Sequence, residues 1–453
     1  MKPTALFTAL SILVVLILVA GCTSTPAAQS GALVSPAGSH ATLAGSGVPP
    51  GASDGNASLY RAGNVSVLRL EGSYREMGRQ YGRLMAQNIS KMYDTVVAQI
   101  GRPGFIIGIT SESQLVNYSM AQYAYYPQQY REIVEGISET SSVPVGHILV
   151  IDQLIPNFAN FFRTDMTQDE IVAFLRAQGD GTPANSSDAA HHCSSVIAWG
   201  AYTGGGPLVV GRNFDFGAAY RSFDPYLSMI VYNPTDGTVP TAVIGWPGSV
   251  GGIEAFNRAG LMMETDDNSH ITEPNAEVHH DRTPLNLLVL DLVKDSATLS
   301  QFDAAMNATR FGYPLLANVA TPSGGYTYEI GTRDVVRRGD TNPGLQVVAN
   351  FPISPFWNEP SNLSDVETGY SLSRRANLMA LGEQNRGTIN TTVMEKIFDT
   401  PYSRGGATFG ADSPEGSATI YQFVYVPETR TLTLKAPQYS DWTTVELAPL
   451  FRA

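Results

Sequence analysis

Cysteine is nearly missing from this chain of 453 residues: only Cys22 and Cys193 are present. A framework of structural disulfides is therefore excluded. Runs of lysine or arginine are missing as well, and 41 Asp plus Glu against 28 Lys plus Arg leave a formal charge of −13. Without a basic surface to neutralise phosphates, nucleic-acid binding is excluded. Long apolar runs are scarce. The one that stands out, Ala5 to Val19, is about 15 residues, short of the ~20 that span a bilayer. Metal-ligand spacing is lacking too: His191, His192, His270, His279, His280 and Asp281 fit no helical ligand pattern and have no added ligand cluster. No metal or cofactor is expected.

What is present begins at the N-terminus. Lys2, the apolar run and the small residues Ala20 and Gly21 read as a secretory signal with its cleavage site. Leu18-Val-Ala-Gly-Cys22 is also similar to a lipoprotein processing box, in which the cysteine is lipidated and becomes the first mature residue; a plain transmembrane anchor is the competing reading. Residues 1–22 are thus expected to be signal peptide and lipidated Cys22. Residues 23–58 are Ser, Thr, Ala, Gly and Pro with almost no charge and no hydrophobic period, which describes a disordered tether. A coil of some 35 residues reaches about 30–35 Å. The expected location is the cell surface, on the outer face of the cytoplasmic membrane, with the membrane as a partner through the lipid. Lipidation of Cys22 leaves Cys193 alone, so no intramolecular disulfide can form. Asn-x-Ser/Thr sequons at Asn56, Asn64, Asn88, Asn117, Asn185, Asn307, Asn362 and Asn390 fit an extracytoplasmic chain.

The remaining 395 or so residues suit one large core or two intimate parts. Residues 59–192 carry a mainly helical pattern. Ser73-Tyr-Arg-Glu76 predicts a capping box, and Met77, Tyr81, Leu84, Met85 and Met92 share one face of the helix it opens. Further helices are expected over Ser113 to Glu139, Val145 to Leu154 and Thr167 to Ala177, then a breaker-rich linker from Gln178 to Ala190. From Cys193 onward the pattern changes to short strands. They are expected at Tyr226 to Tyr232, Thr241 to Ile244, Gly251 to Asn257, Gly260 to Glu264, Tyr326 to Gly331, Asp334 to Arg338, Leu345 to Asn350, Ala418 to Tyr425 and Thr431 to Lys435. Helices interrupt them at Thr283 to Lys294, Thr298 to Met306, Leu372 to Leu381 and Thr392 to Phe398. Strand pairs interrupted by helix pairs point to an α+β fold of stacked antiparallel sheets covered by helices.

Cys193 heads the segment with the most chemistry. A strand from Ser195 to Ala201, a glycine turn at Thr203 to Pro207 and a returning strand from Leu208 to Arg212 bring Arg212, Asn213 and Asp215 back towards the thiol. A thiol is a useful nucleophile only when ionised, and nearby positive charge favours that form. The plainer possibilities are a small buried cysteine and a structural Arg212–Asp215 ion pair.

Several separated motifs carry a resemblance. Cys193 with its hairpin, Gly211-Arg212-Asn213-Phe214-Asp215, Phe256-Asn257-Arg-Ala-Gly260-Leu261, Ala349-Asn350-Phe-Pro352 and Ser373-Arg374 occur in the order seen in the choloylglycine hydrolase and penicillin V acylase group. The layout is most similar to the acyl-CoA:6-aminopenicillanic acid acyltransferase branch, with acid ceramidase-like enzymes as cousins. Gly72-Ser-Tyr-Arg-Glu-Met-Gly78 and Gly82 resemble the pro-segment of that branch. The likeness covers about residue 65 to the C-terminus.

These are N-terminal-nucleophile (Ntn) cysteine hydrolases. The resemblance implies a four-layer αββα sandwich of two stacked antiparallel sheets (residues 193–453), preceded by a mainly helical pro-segment (59–192). It implies self-cleavage between His192 and Cys193, a possible heterodimer of the two resulting chains, and a catalytic set of Cys193, Arg212, Asp215, Asn268, Asn350 and Arg374. Cys193 would supply the nucleophilic sulfur and, through its α-amine, the base; such an amine has a reference pKa of about 7.7–8.0. Asp215 would orient the ammonium, Arg212 would stabilise thiolate and substrate, and Arg374 would brace the far side by ion pairing. Asn350 and a second polar group would form the oxyanion hole. The family's second asparagine aligns with Asp267, where a carboxylate would repel an oxyanion unless protonated; either the register slips by one and its neighbour Asn268 is the donor, which is the expectation, or the oxyanion hole is built differently.

The expected reaction is attack on a linear, non-peptide amide through an acyl-thioester, with transfer of the acyl group to water or an amine. The partner is a small amide or acyl substrate, and Tyr118, Tyr123, Tyr125, Tyr126, Phe158, Phe161 and Phe162 are candidates for an apolar acyl pocket or ordinary core. The rival readings are a surface-tethered binding protein with an inactive Ntn fold and a papain-like cysteine protease, which the surroundings of Cys193 do not match.

Overall fold

The computed structural model describes residues 51–155 and 193–452, apart from residues 103–104, 106–110, 269, 272–273, 339–342, 358–362, 365–367, 369 and 411–416. The signal peptide, Cys22, most of the tether, the helix expected at Thr167 to Ala177, the linker, His191 and His192 all lie outside the described residues.

The part of the chain before Cys193 opens with strands β1 (Ala52–Asp54), β2 (Ala57–Ala62) and β3 (Val65–Gly72). This corrects the sequence expectation, which placed residues 52–58 in the tether and gave the following zone no strands. Val65, Val67, Leu68 and Leu70 are fully buried, so β3 is apolar on both faces and its short run lacks the alternation that marks a half-exposed strand. Helix α1 (Tyr74–Val97) follows, and the Ser73 hydroxyl accepts from the Glu76 amide at 3.3 Å, one arm of the predicted capping box. The single helical zone expected over Ser113 to Glu139 is two helices, α2 (Glu112–Gln122) and α3 (Gln128–Ser141), because Pro127 cannot continue the first. Helix α4 (Val145–Asp152) closes the described pro-segment.

The rest of the chain contributes β4 (Ser194–Ala198), β5 (Val209–Gly217), β6 (Ser228–Pro234), β7 (Thr241–Gly245), β8 (Glu254–Asn257) and β9 (Met262–Asp267). Helices α5 (Leu285–Lys294) and α6 (Leu299–Ala308) lead to β10 (Leu315–Thr321), β11 (Gly324–Ile330), β12 (Val335–Arg337) and β13 (Leu345–Ala349). Helices α7 (Ser371–Gln384) and α8 (Thr391–Phe398) precede β14 (Ser417–Val426), β15 (Thr431–Lys435) and β16 (Thr443–Glu446).

Two sheets result. The larger has the order β1-β2-β3-β6-β7-β8-β9-β10-β11-β12 and the smaller β13-β4-β5-β14-β15-β16. Every pairing is antiparallel except β3 with β6, where Ser66 to Gly72 run parallel to Ser228 to Pro234. Strands β1 to β3, from before Cys193, therefore form one edge of the larger sheet.

The sheets face each other through Phe256 of β8 against Phe423 and Tyr425 of β14, and through the Asn318 amide of β10 donating to the Ser195 hydroxyl of β4 at 2.7 Å. Helices α1 and α5 cover the larger sheet, and α7 and α8 cover the smaller. This is the four-layer αββα order that the motifs imply. Against α1, helix α3 approaches so closely that a Cβ on Gly78 would sit 2.3 Å from the Ile133 carbonyl oxygen, and one on Gly136 2.6 Å from that of Arg75. That contact explains Gly78 in the pro-segment motif.

Candidate active site

Cys193 immediately precedes β4 and is 3% exposed. Ladder pairing of β4 with β5 sets Ser194 opposite Asn213 and Ser195 opposite Arg212, so the hairpin does return its charged residues to the thiol. The returning strand is longer than expected and carries Asp215 within it. The Cys193 Sγ lies 3.8 Å from the Asp215 carbonyl oxygen, and the Cys193 carbonyl accepts from Arg374 Nη1 at 2.8 Å.

Arg374, on the first turns of α7, ties several expected residues together. Its Nη2 donates to Asn350 Oδ1 at 3.2 Å and to the Ser371 hydroxyl at 3.1 Å. Holding the Asn350 oxygen fixes that amide's orientation, and its Nδ2 donates to the Asp267 carbonyl at 2.9 Å. Asn350 sits just after β13, at the end of the ladder where β4 begins: Ala349 pairs with Ser194, which brings the asparagine alongside Cys193.

Asp215 is fully buried. Its Oδ1 accepts a hydrogen bond from the Thr419 hydroxyl, while Oδ2 has no partner among the described residues. Burial lifts this carboxyl to about 7, against the pull of the Arg374 charge, the Thr419 bond and Arg212. Burial also pushes the Cys193 thiol well above its ordinary value; Arg212 pulls it down, and Asp266 and Asp215 push it further up. In the described state the thiol is held neutral.

Arg212 is more heavily engaged than its sequence motif suggests. Its Nη1 bonds Glu254, its Nη2 donates to the Thr265 carbonyl at 2.6 Å and to Asp266 Oδ1 at 3.3 Å, and its Nε lies 2.9 Å from Glu264 Oε2. All four side chains are buried. Sequence reasoning missed Glu254, Glu264, Asp266 and Thr419. The available signal was the run Glu264-Thr-Asp-Asp267 at the end of an apolar strand, where acids facing the core need partners.

Beside the thiol is a narrow cavity of about 30 Å³, walled by Ile155, Phe214, Phe216, Ile253, Leu285, Tyr313 and Leu315, with Thr265, Asp266 and Asp267 at its polar edge. Asn268, the expected oxyanion donor, is buried with neither amide atom hydrogen-bonded, but it is not part of this wall. Of the pro-segment aromatics, Tyr126 is core and donates to Asp152 at 2.5 Å, Tyr125 is exposed, and none of the four described tyrosines lines the cavity. Phe158, Phe161 and Phe162 lie outside the described residues. Among the described residues no group of three or more His, Cys, Asp or Glu side chains is arranged to hold a metal ion, and no helix is long and apolar enough to cross a membrane.

Fold and site together define a four-layer αββα sandwich with a single buried thiol between its sheets. No protein-family model matches the chain, and no curated protein matches it. The chain is similar to the solved structure of a Caenorhabditis elegans ortholog of an N-acylethanolamine-hydrolysing acid amidase, at 15% identity and a TM-score of 0.38 over 56% of this chain and 100% of that one. It is also similar to a variant of the conjugated bile acid hydrolase of Clostridium perfringens, at 11% identity and 0.39 over 56% and 92%. A third is the penicillin V acylase of Agrobacterium tumefaciens, at 12% identity and 0.39 over 57% and 88%.

Proposed function

We propose that this chain is a self-cleaving cysteine amidohydrolase, or a related acyltransferase, acting on a linear amide with an apolar acyl group. The observation that carries the reading is the convergence at one thiol of four elements. The start of β4 brings Cys193, β5 brings Arg212 and Asp215, the end of β13 brings Asn350, and α7 brings Arg374. The unpartnered Asp215 oxygen supports it, because an α-ammonium on Cys193 would give that buried acceptor a charged donor.

In the first step the Cys193 sulfur attacks the His192 carbonyl. The peptide C–N bond breaks as a thioester forms, which frees the α-amine, and water then hydrolyses the thioester to release the thiol and a His192 carboxylate. In turnover that amine takes the thiol proton, and the sulfur attacks the substrate carbonyl carbon. Collapse of the tetrahedral intermediate expels the substrate amine with the proton returned by the ammonium. Water or an acceptor amine then takes the acyl group from sulfur. Asn350 has one amide hydrogen beyond the bond to Asp267 to offer the oxyanion. The apolar wall of the cavity suits an acyl chain rather than a charged one. We place the reaction at the outer face of the membrane, with the pro-segment tethered through lipidated Cys22.

Intact mass and N-terminal sequencing of protein extracted from membranes test these statements together. The expected result is a fragment beginning at Cys193, a second fragment carrying lipid on Cys22, and a single uncut chain from Cys193→Ala. A wild-type chain that stays whole and turns over no amide overturns the enzymatic reading and leaves the tethered binding protein. An unlipidated N-terminal fragment overturns the anchor alone.

A further inference from the structure

Three carboxyl groups share one guanidinium in the space between the sheets. Glu254 of β8 accepts from Arg212 and from the Tyr421 hydroxyl at 2.8 Å, and Glu264 of β9 lies beside Arg212 and accepts from the Asn318 amide. Asp266, two residues further along the same face of β9, is the least provided for. Its Oδ1 is 3.3 Å from Arg212 Nη2, and its Oδ2 has no hydrogen-bond partner although the residue is only 1% exposed. The remaining charges near it are Arg374 of α7 and Arg338 beyond β12, with the Cys193 thiol on the cavity side. A single guanidinium cannot neutralise three buried carboxylates, and an uncompensated one is costly away from water. The group with the fewest donors is the one to take a proton, and Glu264 is near enough to share it. Burial, then the Glu264 charge, lifts Asp266 well above the usual carboxylate range.

Asp266 also stands on the wall of the cavity beside Cys193. The other polar groups on that wall are the Cys193 thiol, Asp267, the Tyr313 hydroxyl and the Thr265 hydroxyl, the last committed to the Ile253 carbonyl at 3.4 Å; Asn268 is off the wall. We propose that Asp266 is a neutral carboxylic acid in the resting enzyme and donates its O–H to the carbonyl oxygen of the bound substrate. This rests on the amide-cleaving reading above. As sulfur bonds to the carbonyl carbon, the C=O π pair moves onto oxygen and the O–H···O bond from Asp266 strengthens; the proton stays on Asp266 throughout. An ionised Asp266 would instead repel that oxygen, so kcat falls on the alkaline side as the proton is lost.

The test compares kcat against pH for wild type, Asp266→Asn and Asp266→Ala on one amide substrate, each protein first shown to begin at Cys193. Asparagine keeps an N–H donor that does not titrate, so Asp266→Asn is expected to retain turnover within about tenfold and to lose the alkaline fall. Asp266→Ala is expected to lose about 100-fold or more in kcat. An unchanged alkaline fall in Asp266→Asn, or full kcat in Asp266→Ala, overturns the proposal. Infrared spectroscopy supplies a readout that needs no turnover. The difference spectrum between Cys193→Ala and Cys193→Ala with Asp266→Asn, recorded at one pH, should show the loss of one carboxylic-acid C=O stretch, and an identical spectrum for the two overturns the assignment. Loss of that band alongside a wild type that cleaves no amide would keep the proton on Asp266 and sink the amide-cleaving reading instead.

Discussion

Asp215 is held in a state that costs the uncut chain stability. Its folded value of about 7 lies above the ~3.9 of an ordinary aspartate, so between those limits the folded protein keeps a proton that the unfolded chain has released. Its contribution is therefore fully present below about pH 4 and is lost as pH rises through about 7. In the Cys193→Ala protein, which cannot cleave itself, the urea midpoint should fall between pH 4 and 7, and adding Asp215→Asn should flatten part of that fall. Identical slopes for the two proteins would show that Asp215 does not titrate this way. Cys193, Arg212 and Asp215 are legible in the sequence because one short hairpin contains them all. Asn350 and Arg374 are legible only through motif resemblance, since 157 to 181 residues separate them from the thiol and nothing local signals the meeting. For Glu254, Glu264 and Asp266 the partnership with Arg212 is not legible, because it arises from β8 and β9 facing β5 across the gap between sheets.

Elements show the same division. Helices with an apolar stripe and a cap, such as α1, α6 and α8, fall where the periodicity puts them. The strands β1 to β3 and β10 escape it. Strand β10, from Leu315 to Thr321, is buried along its whole length, so it has neither alternation nor a distinctive boundary. The α1–α3 contact is stricter than its pattern reveals, since the helices touch through glycine. Gly136→Ala would press a methyl group onto the Arg75 carbonyl and is expected to cost about 1–3 kcal/mol of stability. Urea denaturation of the Cys193→Ala protein with and without this change measures it, and a difference under about 0.5 kcal/mol would mean that the helices can separate freely.

At the scale of the whole molecule, residues 51–155 are built into the same sheet as the residues that follow Cys193. Seven residues of β3 pair with β6, and Asp152 of α4 accepts from the backbone amides of Val250 at 2.6 Å and Gly251 at 3.0 Å and from the Asn286 side chain at 3.0 Å. Cutting before Cys193 removes none of these bonds. Native mass spectrometry of the cleaved protein should therefore find the two chains together, and only denaturant should part them; chains that separate in plain buffer would contradict this.

If the chain cleaves itself as proposed, that shared sheet gives the molecule a memory of how it was made. While the chain is whole, β3 and β6 meet within one polymer, and their encounter is set by the length of the intervening loop. Once the chain is cut, the same pairing becomes a meeting of two solutes, governed by their concentrations. Folding before cleavage and refolding after it are then different reactions that arrive at one architecture. A cleaved molecule that is unfolded and diluted has lost the route by which it first assembled, so its persistence depends on never coming apart.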